Sequence, residues 1–172
     1  MHWPRLRAVP VPPPENPPFA AATNDLRVRR ATVDDLAAVV ELENASFAVE
    51  RMSARQLRRH LDSASALIMV ATAQRRLLGA AVLFLRSRSR VGRLYSIAVA
   101  AGARGRGIGE ALLQAVERAA AKRGCDRLRL EVRVDNAGAQ RLYERHGYHR
   151  FGLRRGYYED GHDALRYEKP LA

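Results

Sequence analysis

From Leu26 onward the chain alternates between two hydrophobic periods, and the switches between them mark out its elements. The stretch LRVRRAT alternates as a strand does. Thr32, followed by Val33 and the acids Asp34 and Asp35, reads as a helix start, after which Leu36, Val39, Val40 and Leu42 carry an apolar stripe at helical period to about Phe47. Ser53-Ala54-Arg55-Gln56 has the capping-box pattern and opens a second helix through Leu57 and Leu61. Two apolar runs, 66–73 and 77–85, predict an antiparallel strand pair turned at Gln74-Arg75-Arg76. A strand over 93–99 follows, then a loop, a helix from Gly107 to about Lys122, a strand over 127–134 and a helix from Asn136 to His146. A strand pair around Asp160-Gly161 closes the chain. No internal repeat is present. This order predicts an α+β domain: a mixed, mostly antiparallel sheet flanked by helices, with one βαβ unit just after the middle.

Two patterns within these elements carry chemistry. In RLRLEVRV the alternation is strict, with Leu128, Leu130, Val132 and Val134 on one face and Arg127, Arg129, Glu131 and Arg133 on the other, so Glu131 stands between Arg129 and Arg133. From spacing alone it is equally a surface ion pair and a functional carboxylate. On the next helix Asn136, Gln140 and Tyr143 recur at helical spacing and share a face, which lets an amide and a phenol point into one cleft. Tyr143, next to Leu142, also suits a core position.

The loop Arg104-Gly105-Arg106-Gly107-Ile108-Gly109 admits three phosphate-binding readings. A P-loop requires a lysine followed by Ser or Thr, and neither stands there. A dinucleotide fingerprint needs its third glycine at Glu110; Glu131 lies where a ribose-binding acid is expected, but such a fold opens with that motif, whereas here a long antiparallel region precedes it. The third reading fits: glycines keep side chains away from a turn whose N–H groups open a helix and can close on a pyrophosphate, with Arg104 and Arg106 beside it. Ile108, Leu112, Ala115, Val116 and Ala119 form one apolar face that anchors the loop.

Composition narrows the setting. The chain has 172 residues, enough for one self-sufficient core. Residues 1–24 form a proline-rich stretch expected to be extended or disordered, without the apolar segment of a secretory signal, and the domain is expected over 25–172. Neither apolar run approaches the roughly 20 residues that cross a bilayer, so no membrane partner is expected. The single cysteine, Cys125, reads as structural and fits a cytoplasmic setting, no metal-ligand spacing is present, and the isolated histidines read as surface residues. A formal net charge of +12 favours polyanionic partners, from a phosphorylated cofactor to nucleic acid. Nucleic acid is not expected as the main partner.

The strand Tyr95-Ser96-Ile97-Ala98-Val99 followed by Arg104-x-x-Gly107-x-Gly109 resembles the acetyl-CoA motif of the GNAT superfamily of N-acetyltransferases. The later stretches LEVRVDNAGAQRLYERHGY and GLRRGYYEDGHDALRYEK resemble the ribosomal-protein alanine N-acetyltransferase branch and related protein N-terminal acetyltransferases. The likeness is good from about Leu94 to Lys169, weaker back to Leu26 and absent from the first 24 residues. It implies the GNAT fold and an acetyl-CoA-dependent N-acetyltransferase, with no metal and no covalent enzyme intermediate. The backbone of Ile97, Ala98 and Val99 would pair with the pantetheine arm, and Arg104, Gly105, Arg106, Gly107, Ile108 and Gly109 would hold the pyrophosphate. Asn136 matches a cofactor contact, Glu131 the general base and Tyr143 the acid that protonates the departing thiolate. A phenol with a pKa of about 10 stays protonated at neutral pH and can serve a thiolate of about 8.5. Phe47 and Glu50, in the loop between the first two helices, and the pair Tyr157-Tyr158 match the substrate-binding positions.

The magnitude of deprotonation bears on the acceptor. At pH 7 it costs about 1 kcal/mol for an α-amine and about 4.6 kcal/mol for a lysine side chain, so a carboxylate base serves the first more easily. A protein N-terminus, ribosomal proteins among the candidates, is therefore the first reading. A small-molecule amine acetyltransferase, for polyamines or antibiotics, is the second. A ribosome- or RNA-binding module that keeps acetyl-CoA as a structural ligand is the third. The relatives carry a proline just after the aromatic residue of the first helical loop where this chain has Phe47-Ala48-Val49, which leaves the first-residue preference open.

Overall fold

The computed structural model describes residues 25–47 and 51–172; the proline-rich stretch and Glu50 lie outside the described residues. Strand β1 (Arg27–Arg30) leads through a short 3₁₀ turn at Val33–Asp35 into α1 (Leu36–Ser46), and α2 (Ala54–Leu61) follows. Then come β2 (Ala66–Ala73), β3 (Arg76–Phe84), β4 (Val91–Val99), α3 (Ile108–Lys122), β5 (Arg127–Arg133), α4 (Ala137–Arg145), β6 (His149–Arg154) and β7 (Ala164–Pro170). The seven strands form one sheet in the order β1-β2-β3-β4-β5-β7-β6. Every neighbouring pair is antiparallel except β4 and β5, the pair joined by α3.

The predicted order of elements holds, with shifts at their ends. The helix expected from Thr32 begins as the 3₁₀ turn because the Asp35 carboxylate accepts from the Thr32 backbone N–H at 2.8 Å, tightening the first turn. At α2 the capping box is complete: Ser53 Oγ accepts from the Gln56 N–H and Gln56 Oε1 from the Ser53 N–H. The β2–β3 turn places Gln74 and Arg75 at φ of 49° and 62°, the left-handed pair that a two-residue hairpin turn requires.

Each face of the sheet carries its own core, which is why β2 and β3 read as continuous apolar runs. Leu67, Met69, Ala71, Leu83 and Leu94 pack under α3 through Ile108, Leu112, Leu113 and Val116, with Tyr143 of α4 in the same cluster. Ala66, Ile68, Val70, Val82 and Phe84 face the other way, against Val39 and Leu42 of α1 and Leu57 of α2. Cys125 is a buried free thiol in the first cluster, and burial pushes its pKa up, in keeping with a structural role.

Two irregularities shape the functional end. The parallel ladder runs only from Val91↔Arg127 to Arg93↔Arg129, although β4 continues to Val99 and β5 to Arg133. Beyond Arg93 the two strands part, while β4 stays paired with β3 to Val99 and β5 with β7 to Arg133. A register shift opposite Val82 and Leu83 leaves Tyr95 as the extra residue of β4, the type of bulge that bends a strand. The sheet therefore forks, with one edge of β4 exposed inside it.

Candidate active site

The fork is widened on one side by the glycine loop. Gly105 and Gly107 have φ of 73° and 74°, in the left-handed region that disfavours any side chain, and a Cβ on either would meet no atom within 4 Å. Conformation and open space thus coincide, as a loop built to face a ligand requires. Gly107 caps α3 without a side chain, so the first N–H groups of that helix stay directed into the cleft.

Between this loop, the free edge of β4 and the facing side of α4 lies a cleft of about 670 Å³. Its lining brings together Phe47, Ile97, Ala98, Val99, Arg104, Gly105, Gly107, Ile108, Gly109, Asn136 and Tyr143, all expected from sequence. Arg106 does not line it. Ser46, Arg141 and Arg145 do, and sequence reasoning missed them. The two arginines are one helical turn apart on α4, a signal that is readable once the face of that helix is known.

Asn136 is the N-cap of α4: its Oδ1 accepts from the Ala139 N–H at 3.1 Å. Its Nδ2 is buried without a hydrogen-bond partner, an orphan donor at the cleft wall. Gln140, expected on the same face, instead donates to the carbonyls of Arg133 and Val134 at 3.1 and 3.0 Å and closes the turn between β5 and α4. That bond satisfies backbone acceptors of the turn, which outweighs a position in the cleft.

At the bottom of the fork is a void of about 10 Å³, lined by Phe47, Leu94, Tyr95, Ser96, Ile97, Leu130, Glu131, Val132 and Tyr143. Phe47, Ile97 and Tyr143 line the large cleft as well, so they form the wall between the two spaces. Glu131 and Tyr143 thus line one void at the bottom of the fork. The Tyr143 ring packs edge-on against Tyr148 at 5.7 Å, and its hydroxyl has no hydrogen-bond partner among the described residues. Burial raises its pKa well above the ordinary phenol value, which keeps it protonated.

The partners of Glu131 differ from the expected ones. Arg129 turns to Glu168 at 2.9 Å, and Arg133 is held by Asp135 at 2.9 Å and by Asp160. The Glu131 side chain, 5% exposed, lies instead between Arg93 Nη2, 3.0 Å from Oε2, and Arg166 Nε, 3.6 Å from Oε1. Arg166 is its direct cross-strand neighbour on β7, and Arg93 reaches it across the fork from β4. Strand alternation orders residues along one strand but says nothing about which strand comes alongside, so these two arginines were not readable as partners.

Tyr157 and Tyr158 sit in the β6–β7 hairpin, as expected, but line neither space. Both are buried in the cluster on the α1 and α2 face, their rings T-shaped at 5.2 Å. The Tyr157 hydroxyl accepts from Arg93 Nη2 at 2.6 Å, and Arg133 stacks over Tyr158 at 5.4 Å. The histidines are not uniformly at the surface either. His146 bonds the Leu142 carbonyl at 2.8 Å and reaches Glu110 at 3.1 Å, tying α4 to the first turn of α3, and His60 packs edge-on against Phe84 at 5.0 Å.

A model of the acetyltransferase (GNAT) family matches residues 36–148, about two thirds of the chain. The chain belongs to this family. Among similar curated proteins, the ribosomal-protein-alanine N-acetyltransferase of Escherichia coli is 40% identical over 82 residues, which is 46% of this chain and 55% of that protein. An N-alpha-acetyltransferase of Sulfurisphaera tokodaii is 42% identical over 81 residues, 46% of this chain and 48% of that protein. The chain thus spans about half the length of the curated relatives it matches. The crystal structure of the Escherichia coli ribosomal-protein-alanine enzyme superposes with a TM-score of 0.75 at 27% identity, covering 86% of this chain and 94% of that one. The seven-stranded, mostly antiparallel sheet with four helices is the GNAT fold.

The cleft fits the acetyl-CoA that this family uses. The open glycine turn, the start of α3, which no side chain caps, and Arg104 suit a pyrophosphate, the unpaired edge of β4 suits an extended amide-bearing arm, and the orphan Asn136 amide offers a further donor. Among the described residues no group of three His, Cys, Asp or Glu side chains is placed to hold a metal ion, and no helix is long and apolar enough to cross a membrane.

Proposed function

We propose that this protein transfers the acetyl group of acetyl-CoA to the N-terminal α-amine of a protein, ribosomal proteins among the acceptors. The observation that carries the reading is that Glu131 and Tyr143 line one void at the bottom of the fork, beside the unpaired edge of β4. The bound cosubstrate supplies the acetyl thioester. The backbone of Ile97 to Val99 holds its arm as an added strand would and polarises the carbonyl, while the glycine loop and Arg104 hold the pyrophosphate.

Glu131 acts as the base. Both of its oxygens face guanidinium groups, so it takes the amine's proton through a relay, and the adjoining void of about 10 Å³ is close to the room that one water needs. An α-amine asks only about 1 kcal/mol of it at pH 7. Tyr143 lines the same void as an uncharged phenol and donates its proton to the departing sulfur. The likeness to N-alpha- and ribosomal-protein-alanine acetyltransferases supports a protein N-terminus as acceptor.

The test is thiol release from acetyl-CoA with a panel of short peptides of different first residues, beside N-blocked lysine peptides, polyamines and aminoglycosides. Selective turnover of free N-terminal peptides is expected. Activity confined to the small amines would replace the acceptor class, and acetyl-CoA binding without turnover, together with strongly salt-dependent RNA binding, would replace catalysis by a binding role.

A further inference from the structure

Arg93 stands where the fork begins. It is the last residue of β4 paired with β5, opposite Arg129, and on its other side it pairs with Phe84 of β3, so its backbone is fixed from both directions. Its side chain is 11% exposed. One nitrogen, Nη2, donates both to Glu131 Oε2 at 3.0 Å and to the Tyr157 hydroxyl at 2.6 Å. These partners lie 38 and 64 residues away, on β5 and in the β6–β7 hairpin, and Arg93 joins both to β4.

Neutralising Glu131 does not by itself account for this arrangement. Arg166 already faces Oε1 from the directly opposite position on β7, and a second buried guanidinium adds a desolvation penalty that a single ion pair would avoid. Arg93 adds geometry: it fixes Oε2, so the carboxylate has one orientation at the edge of the fork, and it couples that orientation to a phenol from the hairpin. We infer that Arg93 is a positioning residue, holding the Glu131 carboxylate and the Tyr157 hydroxyl in one fixed arrangement where β4 and β5 part. The inference rests on the reading of Glu131 as the base. The chain offers a sequence signal for it in retrospect, since Arg93 is the one charged side chain in the otherwise buried run from Gly92 to Ala98.

The test compares Arg93→Met, which keeps the bulk and removes the donors, with Arg93→Lys, which restores a charge and a donor. Glu131→Gln and Tyr157→Phe are measured alongside, each by thiol release on the best acceptor of the wild-type protein. Arg93→Met is expected to lower kcat by about 10- to 100-fold, the range of a displaced catalytic group, with acetyl-CoA affinity within twofold of wild type. Arg93→Lys recovers a substantial part of that loss. In the Glu131→Gln background Arg93→Met costs little more, because both act through one carboxylate.

Two results overturn the proposal: Arg93 variants that turn over within twofold of wild type, or losses that multiply in the double variant. Should Arg93→Met fail to fold, judged by melting and by acetyl-CoA binding, the cycle of Arg93→Lys with Tyr157→Phe carries the same test, since Tyr157→Phe leaves no charge unpaired. Independent losses there would overturn the coupling. Glu131→Gln with wild-type turnover would remove the base and this inference together, whereas its loss beside unaffected Arg93 variants would remove only the inference.

Discussion

The contact between α3 and the sheet is so close that one methyl group should register in both stability and cosubstrate binding. A Cβ built on Gly79 of β3 would lie 2.9 Å from the Ala98 carbonyl oxygen, 2.9 Å from Leu112 Cδ1 and 3.1 Å from Ile108 Cγ2. Leu112 could yield by rotating, but the carbonyl belongs to β4, which the β3 ladder holds at Ala80↔Ala98 and Gly79↔Val99. The strand or the helix must therefore move. Overpacking of this kind costs about 1–3 kcal/mol, while replacing a glycine gains back about 0.4–1 kcal/mol through the unfolded chain. Gly79→Ala is thus expected to be destabilised by about 1–2 kcal/mol, a fall in Tm of about 2–8 °C for a domain of this size. Ala98 and Ile108 both line the cleft, so the displacement should also weaken acetyl-CoA binding, by about 1 kcal/mol or roughly fivefold in Kd by titration calorimetry. Gly109→Ala is the control for the stability arm, because a Cβ there meets only ordinary contacts at 3.6 and 3.8 Å. Equal melting of the two variants, or a Gly79→Ala protein as stable as wild type, would refute the packing argument.

Two more predictions follow from the site. Tyr143→Phe should lower thiol release by about 10²-fold or more, with acetyl-CoA affinity and melting temperature nearly unchanged, since its hydroxyl bonds no described residue; undiminished turnover would remove it as the acid. Asp160 is held down to about 2 chiefly by its hydrogen bond from Arg133, with His162 assisting. A depressed carboxylate stabilises the fold fully above its unfolded pKa, and that contribution is lost as the pH falls through the folded value. Asp160→Asn should therefore flatten the loss of stability between about pH 4 and pH 2, read by thermal melts across that window, and lower stability slightly near pH 7, where the charged pair with Arg133 is gone; an unchanged acid limb would count against the assignment.

How far the molecule was legible in its sequence depends on whether a feature is local. The glycine loop, the helix start at Asn136 and the capping box at Ser53 are determined by residues within a turn of one another, and they stand where the spacing put them. Periodicity likewise marked the helices and strands, with β2 and β3 as an antiparallel pair. The failures that matter most for the base are long-range, beside local ones such as Gln140, which turns to the carbonyls of Arg133 and Val134. Arg129 and Arg133 are nearest to Glu131 along the strand, yet Arg129 pairs across to Glu168 and Arg133 to Asp160 and to its own neighbour Asp135, while strand order brings Arg93 and Arg166 to Glu131 instead. Tyr157 and Tyr158 follow the same logic: as a pair at a hairpin end they suit a cleft, but the hairpin folds them under α1 and α2, where burying two aromatic rings outweighs exposing them.

The fork also changes the meaning of the chain's positive charge. A net charge of +12 invites an electrostatic reading of the whole surface, and exposed arginines such as Arg58, paired with Asp62 at 3.6 Å, contribute little to structure. Arg93, Arg133 and Arg166 differ in kind. They project from β4, β5 and β7, the strands that border the fork, and their carboxylate partners sit on β5 or in the loops that close its far side. A fork loses the ladder bonds that would hold two strands together, and guanidinium groups, with several donors in a fixed plane, can span the gap where backbone amides no longer reach. The site then follows from one departure in strand pairing: parting β4 from β5 frees an edge for an incoming amide chain and opens room beside Glu131. Of the three arginines, Arg93 spans the gap between the parted strands, while Arg166 and Arg133 tie β5 to β7 and to the loops beside it.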